Sequence, residues 1–174
     1  CALPIYEEKE AIHFTRGAML EKAKKIDQSE AEFRKILAIN PTSPSALNYL
    51  GYMWADRNVK LNEALDMIKK AVEQEPNNGA YLDSLGWVYF RLGRLDEAVT
   101  QLKKSLDFSG KDPTVNDHLG DVYAKQGNWK AAATQWERSV KLYHASPGEH
   151  ESSDVAKVQK KLEGARTRLA KEKR

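Results

Sequence analysis

The segment Asn77–Pro113, NNGAYLDSLGWVYFRLGRLDEAVTQLKKSLDFSGKDP, holds two helical periodicities separated by a turn. Leu82, Leu85, Gly86 and Tyr89 recur at the spacing of one face of a 3.6-residue helix. Gly93 follows where a helix C-terminus takes a left-handed residue. Asp96 and Glu97 then stand at the positive dipole end of a second helix. That helix turns Ala98, Leu102 and Ser105 toward the first, and the small pair Gly86 and Ala98 lets the two backbones approach. The segment therefore predicts a helical hairpin.

The hairpin recurs. Leu85, Gly86, Tyr89, Gly93 and Ala98 are matched 34 residues later by Leu119, Gly120, Tyr123, Gly127 and Ala132, and upstream by Leu50, Gly51, Trp54 and Ala64 with one extra residue in the turn. A fainter copy has Gly17, Leu20, Ser29, Phe33 and Pro41. Pro44, Pro113 and Pro147, with Gly79 in place of a fourth proline, mark the starts of successive units. A period near 34 residues made of paired helices is the signature of a stacked repeat.

These residues resemble the tetratricopeptide repeat family. Its pattern asks for bulky residues at positions 4, 7, 11 and 24 of each unit, small ones at 8, 20 and 27, and proline at 32. The unit from Pro44 answers with Leu47, Leu50, Gly51, Trp54, Ala64, Ile68, Ala71 and Pro76. The resemblance covers residues 10–146, as repeats 10–43, 44–78, 79–112 and 113–146, with 1–9 as a lead-in and 147–174 as a capping helix. It implies an all-α fold, a right-handed α-solenoid of about four helix-turn-helix units plus the cap. Departures are local: Ser105 and Ser139 replace alanine, Gly110 and His144 replace proline, and His13 and Arg16 occupy normally apolar positions. Those last two mark the first helix as an end, or as abutting further protein. The wording of the third and fourth repeats is similar to the C-terminal part of larger bacterial members, several of them exported or lipid-anchored adaptors.

Composition narrows the field. An apolar content of 41% with 30% charged residues is ordinary for a helical globular chain. The single Cys1 excludes an internal disulfide framework, and no zinc-ligand spacing occurs. The longest uncharged stretch, 36–55, contains Asn40, Pro41, Pro44 and Asn48, which predicts a turn between repeats and no transmembrane segment. Beginning at Cys1 without a signal peptide, the chain reads as a fragment of something longer; the sharper alternative makes Cys1 the lipidated first residue of a bacterial lipoprotein. The compartment stays open between cytoplasm and bacterial periplasm or envelope. From His150 onward eight Lys/Arg face four acids, a net +4 that leaves about −1 of the total +3 for the repeats. Basic character is a property of the tail.

In chain order, helices are expected from Pro4 to about Lys25, from about Gln28 to Ile39, and at 45–57, 61–74, 114–126 and 129–143. The break Ser146-Pro147-Gly148 precedes a last helix with Ser152, Ser153 and Asp154 as candidate N-caps. Its stripe of Val155, Val158, Leu162, Ala165 and Leu169 fits a cap over the apolar face that a final repeat leaves bare. A basic arm for nucleic acid or anionic lipid is the weaker reading, without aromatic interleaving or a phosphate-binding glycine loop.

In the family, first helices line a concave groove. Carried over by position, the groove residues here are Asn48, Tyr52 and Asp56, then Asp83, Trp87, Phe90 and Arg91, then Thr114, Asp117, Asp121 and Lys125. Leu82, Leu85 and Tyr89 already fill the core stripe, so Trp87 is either an exposed anchor for a partner's side chain or packing between neighbouring first helices. Asp56, Asp83, Asp117 and Asp121 predict an acidic groove, favouring a basic peptide. A carboxylate clamp, known in a subclass of the family, is not expected, because Phe14, Ala18, Tyr49, Ala80 and Ser84 stand at its positions. His118 and Asp121 lie one turn apart but lack a second ligand pair, so neither catalysis nor a metal or cofactor is expected. Trp129, at a helix start, is expected to cover the hairpin turn. The expected role is a non-enzymatic scaffold or adaptor holding a peptide or helix of another protein. Alternatives are a substrate-recruiting part of an enzyme such as a glycosyltransferase, and self-association through the terminal helix.

Overall fold

A computed structural model describes residues 5–109, 111–145 and 152–172, and all nine regular elements among them are helices. Four hairpins follow in order: α1 (Ile5–Lys22) with α2 (Ile26–Ile39), α3 (Pro44–Asp56) with α4 (Leu61–Gln74), α5 (Gly79–Arg91) with α6 (Leu95–Ser109), and α7 (Pro113–Lys125) with α8 (Trp129–Ala145). A last helix, α9 (Ser152–Glu172), packs on α8. Cys1, Pro4, Gly110, the break at 146–148 and His150 lie outside the described residues.

Each hairpin is built from two small backbone devices. The first is a close approach: a Cβ on Gly51 would stand 2.7 Å from Ile68 Cγ1, and one on Gly86 2.6 Å from Leu102 Cγ. The second is a left-handed residue seven positions later, which turns the chain back. Gly93 (φ 76°) and Gly127 (φ 78°) fill it in the third and fourth hairpins, and Lys24 (φ 59°) and Asn58 (φ 58°) fill it in the first and second. The extra residue of the second turn is absorbed by Lys60, itself left-handed (φ 47°) at the start of α4.

The substitutions of alanine by serine close hydrogen bonds. Ser105 donates to the Gly79 carbonyl and Ser139 to the Pro113 carbonyl, both at 2.7 Å, pinning the second helix of a hairpin to the first residue of its own repeat. Ser29 does similar work with the Gly17 carbonyl at 2.8 Å. A buried hydroxyl with a partner is tolerated where an unpartnered one costs about 1–3 kcal/mol. Without the family's proline, α8 runs through exposed His144 to Ala145, beyond the expected end at 143.

The chain divides into two units, Cys1–Pro76 and Asn77–Arg174. In unit 1 the core is Phe33, Ile36, Leu50, Met53, Trp54 and Ile68, with Phe33 stacked on Tyr49 at 4.4 Å and Phe14 edge-on to both. His13 and Arg16 owe their place to Glu32, buried on α2: His13 Nδ1 lies 2.7 Å and Arg16 Nε 3.7 Å from its carboxylate, and Lys35 donates at 2.7 Å. The hydrogen bonds from Lys35 and His13, with the Arg16 charge beside them, hold the Glu32 carboxyl down at about 2 against its burial. Ile12 and Met19 on α1 remain exposed.

In unit 2 every residue from Leu82 to Tyr89 is buried, so α5 is covered nearly all round instead of along the single expected stripe. Its neighbours are α6 on one side and α7 on the other. Asn78 and Asp112 cap α5 and α7, each accepting from two backbone N–H groups. The expected caps Ser152, Ser153 and Asp154 are instead the first residues of α9, which buries Val158, Leu162 and Ala165 against Ala132, Trp136 and Tyr143. No helix among the described residues is long and apolar enough to cross a membrane.

Candidate functional site

The residues expected to line a groove fall into three groups. On α3, Asn48 and Tyr52 are half-buried and Asp56 is exposed at the helix end. The Asn48 side-chain oxygen is buried without a hydrogen-bond partner. This row sits beside the aromatic cluster of Phe14, Phe33 and Tyr49, whose phenol is pushed up to about 12 by burial and by Glu21, to which it donates at 3.1 Å.

The second group joins α5 to α7. Of the two readings of Trp87, the structure gives packing between first helices. Trp87 is 7% exposed, stacked on His118 at 4.2 Å and on Phe90 at 5.0 Å, with Arg91 over its ring at 5.7 Å. Its Nε1 is buried with no partner. Asp83 is not a groove carboxylate either: its Oδ1 lies 2.9 Å from His118 Nδ1, both side chains being nearly buried. Burial works against a charged imidazole, yet Asp83, aided by Asp117 and Asp121, outweighs it and holds the His118 proton above its ordinary range. His118 thus pairs one repeat back, where local spacing had pointed to Asp121. Phe90 and Arg91 are half-buried.

The third group ties α7 to α9. Lys161 donates to Asp117 and to Asp121 at 2.8 Å each. Burial and the neighbouring Asp117 push Asp121 up, with Lys161 opposing; the Lys161 ammonium is in turn held above its ordinary range by the two carboxylates, against burial. Of the four aspartates expected to make an acidic groove, three already have a partner within the chain, and Asp56 alone is exposed. Thr114 is half-buried and Lys125 exposed. Among the described residues no three His, Cys, Asp or Glu side chains converge as metal ligands.

The Lys161 clasp spans 40 and 44 residues of sequence, beyond any local spacing. One signal for it exists: Lys161 sits between Val158 and Leu162 in the stripe of α9, at the edge of the buried face. Trp129, expected over the hairpin turn, lies instead under the Arg168 guanidinium at 4.4 Å and packs on the α8–α9 core.

Comparison with known proteins bears on the same hairpins. The profile described as TPR repeat matches residues 86–127, and that described as tetratricopeptide repeat matches 118–138. A TPR repeat-containing protein of Pseudomonas aeruginosa is 39% identical over 90 residues, 52% of this chain and 15% of that protein. Among solved structures, Pseudomonas aeruginosa pilF matches with a TM-score of 0.76 at 19% identity over 95% of this chain and 71% of its own. The Cut9–Hcn1 hetero-tetramer of the APC/C gives 0.83 at 18%, over 94% and 31%. A Thermobaculum terrenum O-GlcNAc transferase mutant gives 0.73 at 16%, over 83% and 27%. These last three likenesses are of fold.

Proposed function

Since the chain is a tetratricopeptide-repeat protein, whose fold is that of protein-interaction scaffolds, we propose that it is a non-enzymatic scaffold holding a peptide or helix of another protein on its first helices. The observation that carries this reading is a group of side chains outside the core on a first helix of each unit, taken separately: Asn48, Tyr52 and Asp56 on α3, and Phe90 and Arg91 on α5. Each group combines a half-exposed aromatic with a charge, the pairing found at binding hot spots. Preference for a basic partner rests on Asp56, because Asp83, Asp117 and Asp121 are engaged internally.

The test compares affinity capture by the wild type with capture by Tyr52→Ala/Asp56→Ala and by Phe90→Ala/Arg91→Ala, each verified folded by circular dichroism. A partner depleted about tenfold or more in either variant, equivalent to ~1.4 kcal/mol, supports the reading. Equal recovery by all three proteins overturns it. A second reading, recruitment of substrates for a catalytic domain of a longer protein, draws on the likeness of fold to the O-GlcNAc transferase. A catalytic domain in the full-length gene would favour it.

A further inference from the structure

A cleft of about 470 Å³ opens between α8 and α9. Its floor is the half-buried Trp129, reached by only the edge of the buried Trp136, and Gly164 leaves it open, since a Cβ there would meet nothing within 4 Å. Its rim is cationic, with Lys160, Arg168 and Lys171. Lys160 and Lys171 are exposed and form no ion pair among the described residues, whereas Arg168 is committed to the Trp129 ring and to Glu172. The nearest carboxylate of α8, Glu137, already serves Lys141 and Arg166.

We propose that this cleft binds an acidic peptide segment, with a bulky apolar side chain on the tryptophan floor and carboxylates on Lys160 and Lys171. Lys160 and Lys171 lie eleven residues apart on one helix, about 16 Å at the rise of an α-helix. An extended peptide covers that distance in about five residues. The fitting ligand thus carries acids at both ends of a pentapeptide and an aromatic in its middle. Apolar surface framed by charge of one sign is where such side chains gain both burial and charge-assisted hydrogen bonds. A continuous phosphate track is disfavoured, because Glu163 and Glu172 interrupt the basic stripe of α9. The site shares no residue with the first-helix surfaces, so the two proposals fail independently.

The experiment is fluorescence anisotropy of the full chain with labelled, end-capped Glu-Glu-Phe-Glu-Glu, against Gln-Gln-Phe-Gln-Gln. Binding of the acidic peptide at least about tenfold tighter than the neutral one is expected, with a similar loss in Lys160→Glu/Lys171→Glu. Trp129→Ala is expected to weaken it about fivefold. Both lysines are exposed, so the charge-reversed protein keeps the fold and the test does not depend on the tryptophan variant. Absence of binding up to about 1 mM, equal affinity for the neutral peptide, or indifference to the double reversal overturns the proposal. So does tighter binding of a single-stranded oligonucleotide or of phosphatidylserine vesicles, which would make the face a general polyanion surface.

Discussion

Gly86 and Gly93 are both required, for unlike reasons. At Gly93 a Cβ would touch nothing, so Gly93→Ala is charged only the left-handed backbone, about 1–2 kcal/mol. Lys24 already bears that strain at the equivalent turn, and Lys24→Gly is expected to raise stability by about 0.5–1 kcal/mol once the glycine's unfolded-state entropy is subtracted. Denaturant melts of both variants check the opposite signs. Two buried ionic contacts give opposite pH dependences. Glu32 titrates at about 2 in the fold, below its unfolded value near 4.3, so its contribution is present above that value and is lost as pH falls toward 2. His118 is raised, so its contribution is complete below about pH 6.5 and is lost as pH rises through the folded value. Thermal scans should show Glu32→Gln flattening the acid limb and His118→Gln the alkaline limb; unchanged limbs would refute the assignments.

At the level of the helix, α9 is held by Val158, Leu162 and Ala165 and by the Lys161 clasp. Each large apolar side chain that it covers contributes about 1.5–3 kcal/mol. Deleting residues 150–174 is therefore expected to lower the melting temperature sharply and to reduce solubility by baring Trp136 and Tyr143; an unchanged melt would count against the role of α9 as cap. Helix positions and the apolar stripe of α9 were legible in the sequence because core side chains recur with the helical period. The surface was less so. Trp87, Asp83, Asp117 and Asp121 sit on outward positions of their own helices, yet each meets a partner from another helix. Those contacts follow from how hairpins stack, which spacing within one helix does not encode. His118 shows this most plainly: its near neighbour in sequence, Asp121, belongs to Lys161, and its own partner comes from α5.

Across the whole molecule, each of the two units carries its own core, and arrays of helical repeats are stabilised chiefly by contacts between neighbours. A single two-state transition is accordingly not expected. Gly51→Val would drive a side chain into Ile68, whose Cγ1 lies 2.7 Å from a Cβ at that position, and should speed amide exchange in α3 and α4 while protection in α5–α8 stays within about twofold. Uniform loss of protection would show one cooperative body. The division after Pro76 falls two residues before the repeat boundary at Gly79. An in-frame duplication of 34 codons at that junction would add one complete hairpin, with its close-approach glycine and its turn residue, so the gene can lengthen here by a whole repeat.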